Sequence, residues 1–271
     1  RTAFFPGGGG QACDLGTLGG AAVLNMQEAG DQVWHLCAAP LEAGAEVRGV
    51  LDWDRRRDLS QQHSGEHIVS GLVFRHFGHH NVGFHMGAQC MTIDFDGPLS
   101  WEALTAIEAE ANDAVTRDLP VRAWFPEPEE LARLPYRSKK ALTGAVRLVE
   151  FPGYDLCACC GTHVERTGQI GPIKLLSCVK FHQGVRVELL CGGRAMAYLA
   201  AVWEQNRQVS QAFSAKILET GAAARRMNET LEAQKRRAGS LESRVFAALA
   251  AEAAGQGDVL VFEPELSPDG V

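Results

Sequence analysis

Leu59-Ser60-Gln61-Gln62-His63-Ser64-Gly65-Glu66-His67-Ile68-Val69-Ser70-Gly71-Leu72-Val73-Phe74-Arg75-His76-Phe77 is the stretch on which the reading of this chain turns. Ile68, Leu72, Val73 and Phe77 recur at helical spacing, which predicts an amphipathic helix over 59–77, and Gly78 follows where a C-cap belongs. On that helix His63 and His67 stand one turn apart on one face, a spacing that lets two imidazoles reach one metal ion.

Upstream, residues 1–55 read as a small β unit. Pro6 to Gly10 is a glycine-rich loop, Gly16, Gly19 and Gly20 mark a turn, and Gln32–Cys37 and Ala45–Leu51 alternate as strands do. Downstream, Cys90–Phe95 predicts a strand. Ser100 is the N-cap of a second helix through Trp101, Leu104, Ile107, Ala111 and Val115. Val121–Phe125, Val146–Phe151, Ile173–Val179 and Val185–Leu190 follow as strands. Helices and strands mix without a strict βαβ repeat, so the expected class is α+β, in layers. From Arg194 to about Ala254, Trp203, Phe213, Ile217, Met227, Leu231, Ala238, Leu241, Val245 and Ala248 fall on a seam of three and four spacings, a long helix or helical hairpin. Polar Ser210, Thr220 and Gln234 interrupt the seam, which favours an arm packed on its neighbour over a coiled-coil homodimer contact. Asp258–Glu263 reads as one more strand, the start of a further unit that is truncated or disordered, and the chain, which lacks an initial Met, is expected to begin inside a longer one.

The 271 residues carry a net charge of −7, so any nucleic-acid contact must rest on local basic patches rather than a basic domain. No run of roughly 18 apolar residues suggests a membrane span, and the start has no signal-peptide pattern. Eight cysteines without an export signal, with Cys157, Cys159 and Cys160 crowded together, point to metal-binding or catalytic thiols in a reducing cytoplasm.

The thiols complete the metal argument. Cys159-Cys160-Gly161-Thr162-His163 sets a thiolate and an imidazole on either side of three residues that include a glycine bend. With His63 and His67 this makes a four-coordinate N₃S site for one zinc ion per chain, since thiolate selects against magnesium and calcium. Cys157 and Cys160 are left as spare thiols.

His63-x-x-x-His67 together with Cys159-x-x-x-His163 resembles the second additional domain shared by alanyl- and threonyl-tRNA synthetases. Gly8-Gly9-Gly10-Gln11, Cys160-Gly161-Thr162-His163-Val164 and Thr167-Gly168-Gln169-Ile170-Gly171 are closer to the alanyl branch. Gln61 to His67 and Gly83-Phe84-His85-Met86-Gly87 resemble the free-standing alanyl-tRNA editing proteins of the AlaX type. The resemblance implies a small glycine-rich β-barrel unit over 1–55, an α/β editing domain over 56–193, a long C-terminal helical arm over 194–255 and the start of a DHHA1-like unit over 256–271. Two departures from the pattern are Gly7, where the family has an acidic residue, and Cys160, where the synthetases have glycine; neither removes a ligand.

The implied partner is tRNA(Ala) mischarged with serine or glycine, whose ester the zinc site would hydrolyse. Glu66, beside a ligand on the helix, is the first candidate general base, set against the reading of a solvated carboxylate, and His85, on a loop after the helix, is a second catalytic candidate. Gly9, Gly10, Gln11 and Thr162 are expected to approach the substrate end, and Arg137, Lys139 and Lys140 the tRNA phosphates. Two competing functions stand beside this one. His63-Ser64-Gly65-Glu66-His67 also fits the inverted H-x-x-E-H zinc peptidase pattern, with Glu150 as a distant third ligand. A closed four-ligand site is equally compatible with a structural zinc in a non-catalytic tRNA-binding module.

Overall fold

The computed structural model describes residues 2–30, 32–138 and 144–258. The chain divides into two compact units, Arg1–Leu199 and Ala200–Val271.

The first unit opens with β1 (Gly16–Leu18), β2 (Ala21–Ala29), β3 (Gln32–Cys37) and β4 (Gly49–Leu51), joined antiparallel in the order β3-β2-β1-β4. Phe4, Val23 and Met26 form its small core. The expected barrel is corrected by this sheet, which is open: its end strands β3 and β4 are not paired to each other. Only Gly49–Leu51 of the anticipated 45–51 strand pairs, whereas β2, which broad alternation did not reveal, is the longest of the four.

Asp52 then caps α1 (Trp53–Phe77), its side chain accepting from the Arg55 N–H, and Gly78 ends the helix in the left-handed region at φ 70°. The helix starts six residues before the apolar periodicity does, because its first turns, Trp53-Asp54-Arg55-Arg56-Arg57, carry no core stripe. The strands β5 (Asn81–Met86) and β6 (Met91–Phe95) and the helix α2 (Trp101–Arg117), capped by Ser100, follow. Next come β7 (Arg122–Trp124), the single turn α3 (Pro128–Leu131), β8 (Leu148–Phe151), β9 (Asp155–Ala158), β10 (Ile173–Phe181) and β11 (Gly184–Cys191). A four-stranded sheet in the order β10-β11-β6-β5 and a three-stranded sheet in the order β7-β8-β9 result. The α+β class holds.

Helix α1 contacts β5, β6 and β11 of one sheet and β9 of the other. Leu59 to Val73 is therefore buried almost all round, Gln61 alone being partly exposed. Ile68 and Leu72 join Ile93, Phe95, Leu104, Phe151, Val187 and Leu189 in the main core. The amphipathic pattern is real, yet its polar stripe, with Gln62, His63, Ser64, Glu66, His67 and Ser70, faces protein rather than solvent. A buried polar stripe is tolerable only if each group is satisfied, and that requirement organises the site.

The helix α4 (Gly192–Ala212) runs from the first unit into the second, which continues with α5 (Thr220–Ala253). The predicted arm is thus two helices, broken where Ser214 takes a positive φ of 48° and Asn206 Nδ2 donates to the Ile217 carbonyl. Met227, Leu231, Leu241 and Val245 are exposed on α5. The strand anticipated at Asp258–Glu263 lies, beyond Asp258, outside the described residues.

Candidate metal centre and its surroundings

His63, His67, Cys159 and His163 converge, with one ligand atom from each lying within 4.8 Å of those of the other three. The helix pair comes from α1 as the i, i+4 spacing dictates, and the other pair from the loop after β9. Cys159 Sγ lies 3.3 Å from His163 Nε2 and 3.6 Å from His63 Nε2.

Each imidazole is fixed through its other nitrogen. His63 Nδ1 meets Gln11 Oε1 at 2.8 Å, His67 Nδ1 meets Asp155 Oδ2 at 2.8 Å, and His163 Nδ1 meets Ser64 Oγ at 3.2 Å. Three Nδ1 contacts leave three Nε2 atoms for the centre, the arrangement by which proteins fix the tautomer and orientation of metal-binding histidines. Asp155 is anchored by Arg137, whose Nε and Nη2 donate to its two oxygens at 2.7 and 2.9 Å. Gln11 is held as firmly. Its Oε1 also accepts from the Thr162 N–H at 3.1 Å, and its Nε2 donates to Thr162 Oγ1 at 2.6 Å. Arg147 Nη1 donates to the carbonyls of Cys159 and Gly161, 2.9 Å from each, and clamps the ligand loop. Gly161 is required there: a Cβ would stand 2.2 Å from His63 Cε1.

The electrostatics agree with the donor set. Burial opposes ionisation of Cys159, but the hydrogen bonds of His163, His63 and His67 overcome it and hold the thiol far below its usual range. Burial lowers His163 to about 3, which keeps it neutral and free to ligate. Burial also opposes charge on His67, yet Asp155 and Cys159 raise it well above the ordinary value. Burial pushes the neighbouring Cys157 thiol up to about 11, which favours its protonated form in the metal-free protein. A soft thiolate and three imidazoles, each held through its Nδ1, fit a zinc ion.

The remaining predicted residues divide clearly. Glu66 is 3% exposed rather than solvated, and accepts hydrogen bonds from Ser70 Oγ and Asn81 Nδ2. With His63, His67, Cys159, Arg137 and Gly9 it lines a cavity of about 300 Å³. Gly10 packs against Phe84, whose ring stacks on His63 with centroids 5.4 Å apart. His85 lies on β5, not on a loop, and its side chain is exposed. Arg137 turns inward onto Asp155 and leaves only 12% of its side chain exposed. Lys139 and Lys140 lie outside the described residues. Among those described, Glu150 is not part of the four-donor group. Asp155, Ser64, Ser60 and Arg147 were not anticipated. Asp155 and His67 are 88 residues apart, a separation at which spacing carries no signal. All eight cysteines are free thiols. Among the described residues no helix is long and apolar enough to cross a membrane.

Residues 146–188 match the threonyl and alanyl tRNA synthetase second additional domain. The chain is 31% identical to the alanyl-tRNA editing protein Aarsd1 of Danio rerio over 226 residues, covering 82% of this chain and 54% of that protein. It is 33% identical to an alanine–tRNA ligase of Ignicoccus hospitalis over 227 residues, covering 79% of this chain and 25% of the ligase. A ligase of Pyrococcus abyssi is 34% identical over 257 residues, covering 87% of this chain and 28% of the ligase. The chain thus spans about half the length of the editing protein and about a quarter of the ligases. The match includes Cys159 and His163, and the alignments extend well beyond it. Over about four fifths of its length the chain is thus similar to alanyl-tRNA editing proteins and to part of the alanine–tRNA ligases.

Proposed function

We propose that this chain is a zinc-dependent hydrolase that deacylates tRNA(Ala) misacylated with serine or glycine. The observation that carries the reading is the cluster of His63, His67, Cys159 and His163, with every imidazole held from behind, in a chain with alanyl-tRNA editing relatives. A zinc ion held by these four residues would supply Lewis acidity, either toward the ester and its attacking water or toward the substrate amino group.

The chain's own residues supply positioning and proton transfer. Glu66, which lines the small cavity beside His63 and His67, would take a proton from the attacking water. Ser70 and Asn81 hold one of its oxygens. Gly9 lines the same cavity, and Gln11 ties the glycine loop to Thr162. His85 is kept as a second catalytic candidate on the strand that carries Phe84. The soluble, reducing cytoplasm is the compartment in which such a thiolate site and such a substrate occur together.

The deciding assay is release of serine or glycine from Ser-tRNA(Ala) and Gly-tRNA(Ala). Turnover should disappear with a chelator and return with zinc. Stable zinc binding without release from either substrate assigns the cluster a structural role and overturns the proposal. Retention of zinc by Cys159→Ala, with cleavage of peptides, would support the peptidase instead.

A further inference from the structure

Two cavities border the ligand cluster. The smaller, described above, is walled by three of the four ligands. The larger, about 620 Å³, is walled by the fourth, His163, with its neighbours Thr162 and Glu165, and by Trp53, Arg57 and Ser60 of α1. Ser60 Oγ and Thr162 Oγ1 meet at 2.9 Å, joining the helix wall to the ligand loop.

An aminoacyl ester has two unequal parts. The acyl side of serine or glycine is a few heavy atoms, whereas the other side is a ribose with its base and the preceding phosphodiesters. An ester at the cluster must put the two in different spaces, and the cavities differ in the same sense. The lining agrees. Trp53 leaves 62% of its surface exposed at the first residue of α1, with the Arg56 guanidinium 5.9 Å from its ring centroid. Arg56 itself is committed to Asp14. Arg57, one turn from Trp53, keeps 68% of its side chain exposed and meets Asp54 only at 3.9 Å. An aromatic face beside an accessible guanidinium is the pairing that single-stranded nucleic acid uses, base on ring and phosphate on cation.

We propose that this larger cavity seats the 3′-terminal nucleotides of the tRNA acceptor end, with Trp53 stacking a base and Arg57 contacting a phosphate, while the smaller cavity receives the aminoacyl group. The inference rests on the deacylase reading, and two measurements separate their fates. In steady-state deacylation of Ser-tRNA(Ala), Trp53→Ala and Arg57→Glu should each raise KM roughly tenfold and leave kcat and zinc content unchanged. Trp53→Phe should restore KM, and only the Arg57→Glu effect should shrink as salt rises. Unchanged KM in Trp53→Ala and Arg57→Glu overturns the proposal. Independently of turnover, the free trinucleotide CCA should bind the wild type in a calorimetric titration and lose roughly tenfold in affinity in Trp53→Ala. If the wild type deacylates nothing, the editing reading fails and this titration alone decides the seat; no CCA binding, or binding indifferent to Trp53, refutes it.

Discussion

Asp155→Asn tests how the protein would hold a zinc ion at the four-donor cluster. The native carboxylate accepts from His67 Nδ1 at 2.8 Å and from two Arg137 nitrogens at 2.7 and 2.9 Å, with only 1% of its side chain exposed. An asparagine keeps the shape but has one acceptor oxygen, and its amide must face either the imidazole or the guanidinium, donor against donor. Loss of such a carboxylate partner typically weakens metal affinity by about 10- to 100-fold, about 1.4–2.7 kcal/mol. The substitution also leaves the Arg137 cation buried without its partner, which costs about 3 kcal/mol, at the lower end for a broken buried pair because some of Arg137 reaches water. Zinc affinity is read by competition with a fluorescent chelator, and stability by thermal melting. At 2–4 °C per kcal/mol for a unit of this size, Tm should fall by about 6–12 °C. Adding Arg137→Gln should recover much of Tm without recovering affinity, because it removes the stranded cation and not the missing acceptor. Zinc affinity within twofold of wild type in Asp155→Asn would refute the reasoning.

Gln11→Ala removes the side chain that holds both His63 Nδ1 and the Thr162 N–H, so zinc affinity should fall about tenfold and stability by about 1–3 kcal/mol; a change in neither would show the glycine loop to be independent of the centre. In the metal-free protein the Cys159 thiol titrates below its ordinary value, so its ionisation contributes stability that is full above about pH 9 and declines on acidification. Thiolate absorbance near 240 nm should therefore persist below pH 7 and vanish in Cys159→Ser, which should cost more stability at pH 8 than at pH 5; no absorbance at pH 6 would contradict the assignment. Leu72→Ala empties a fully buried site in the main core and should cost about 2–5 kcal/mol in denaturant unfolding, with zinc stoichiometry intact in the folded fraction. Gly71→Ala should fail differently, by overpacking, since a Cβ would lie 2.3 Å from the Tyr154 carbonyl oxygen.

The ligands were legible because their chemistry is local. Two histidines on one helical face and a cysteine and histidine around a glycine are short-range patterns, as are the caps at Gly78 and Ser100. The strands β6, β8, β10 and β11 were legible for the same reason, apolar runs bounded by polar turns. What escaped was set by distant partners. β5, whose register shifts between Asn81 and Gly83, and the four-residue β9 read as loop until the strands beside them are known. Arg137 sits in a basic run and reads as surface, but the Asp155 that claims it is 18 residues away and buried. Glu66 admitted a reading as a solvated carboxylate because periodicity reports sidedness, not what lies opposite. The expected barrel likewise depended on a closure between sheet edges that no local pattern encodes.

Two glycines of α1 remain. At Gly65 a Cβ would meet Cys191 Sγ at 2.2 Å, and at Gly71 one would meet the Tyr154 carbonyl oxygen and Asp155 Cβ within 2.7 Å. The helix is thus pressed onto β11 at one point and onto the start of β9 at another, on either side of His67. Two such contacts hold the helix backbone close to the sheets on both sides of His67. A side chain at either glycine would have to push the helix away, and His63 and His67 with it, so the placing of both imidazoles depends on two residues that carry no side chain at all.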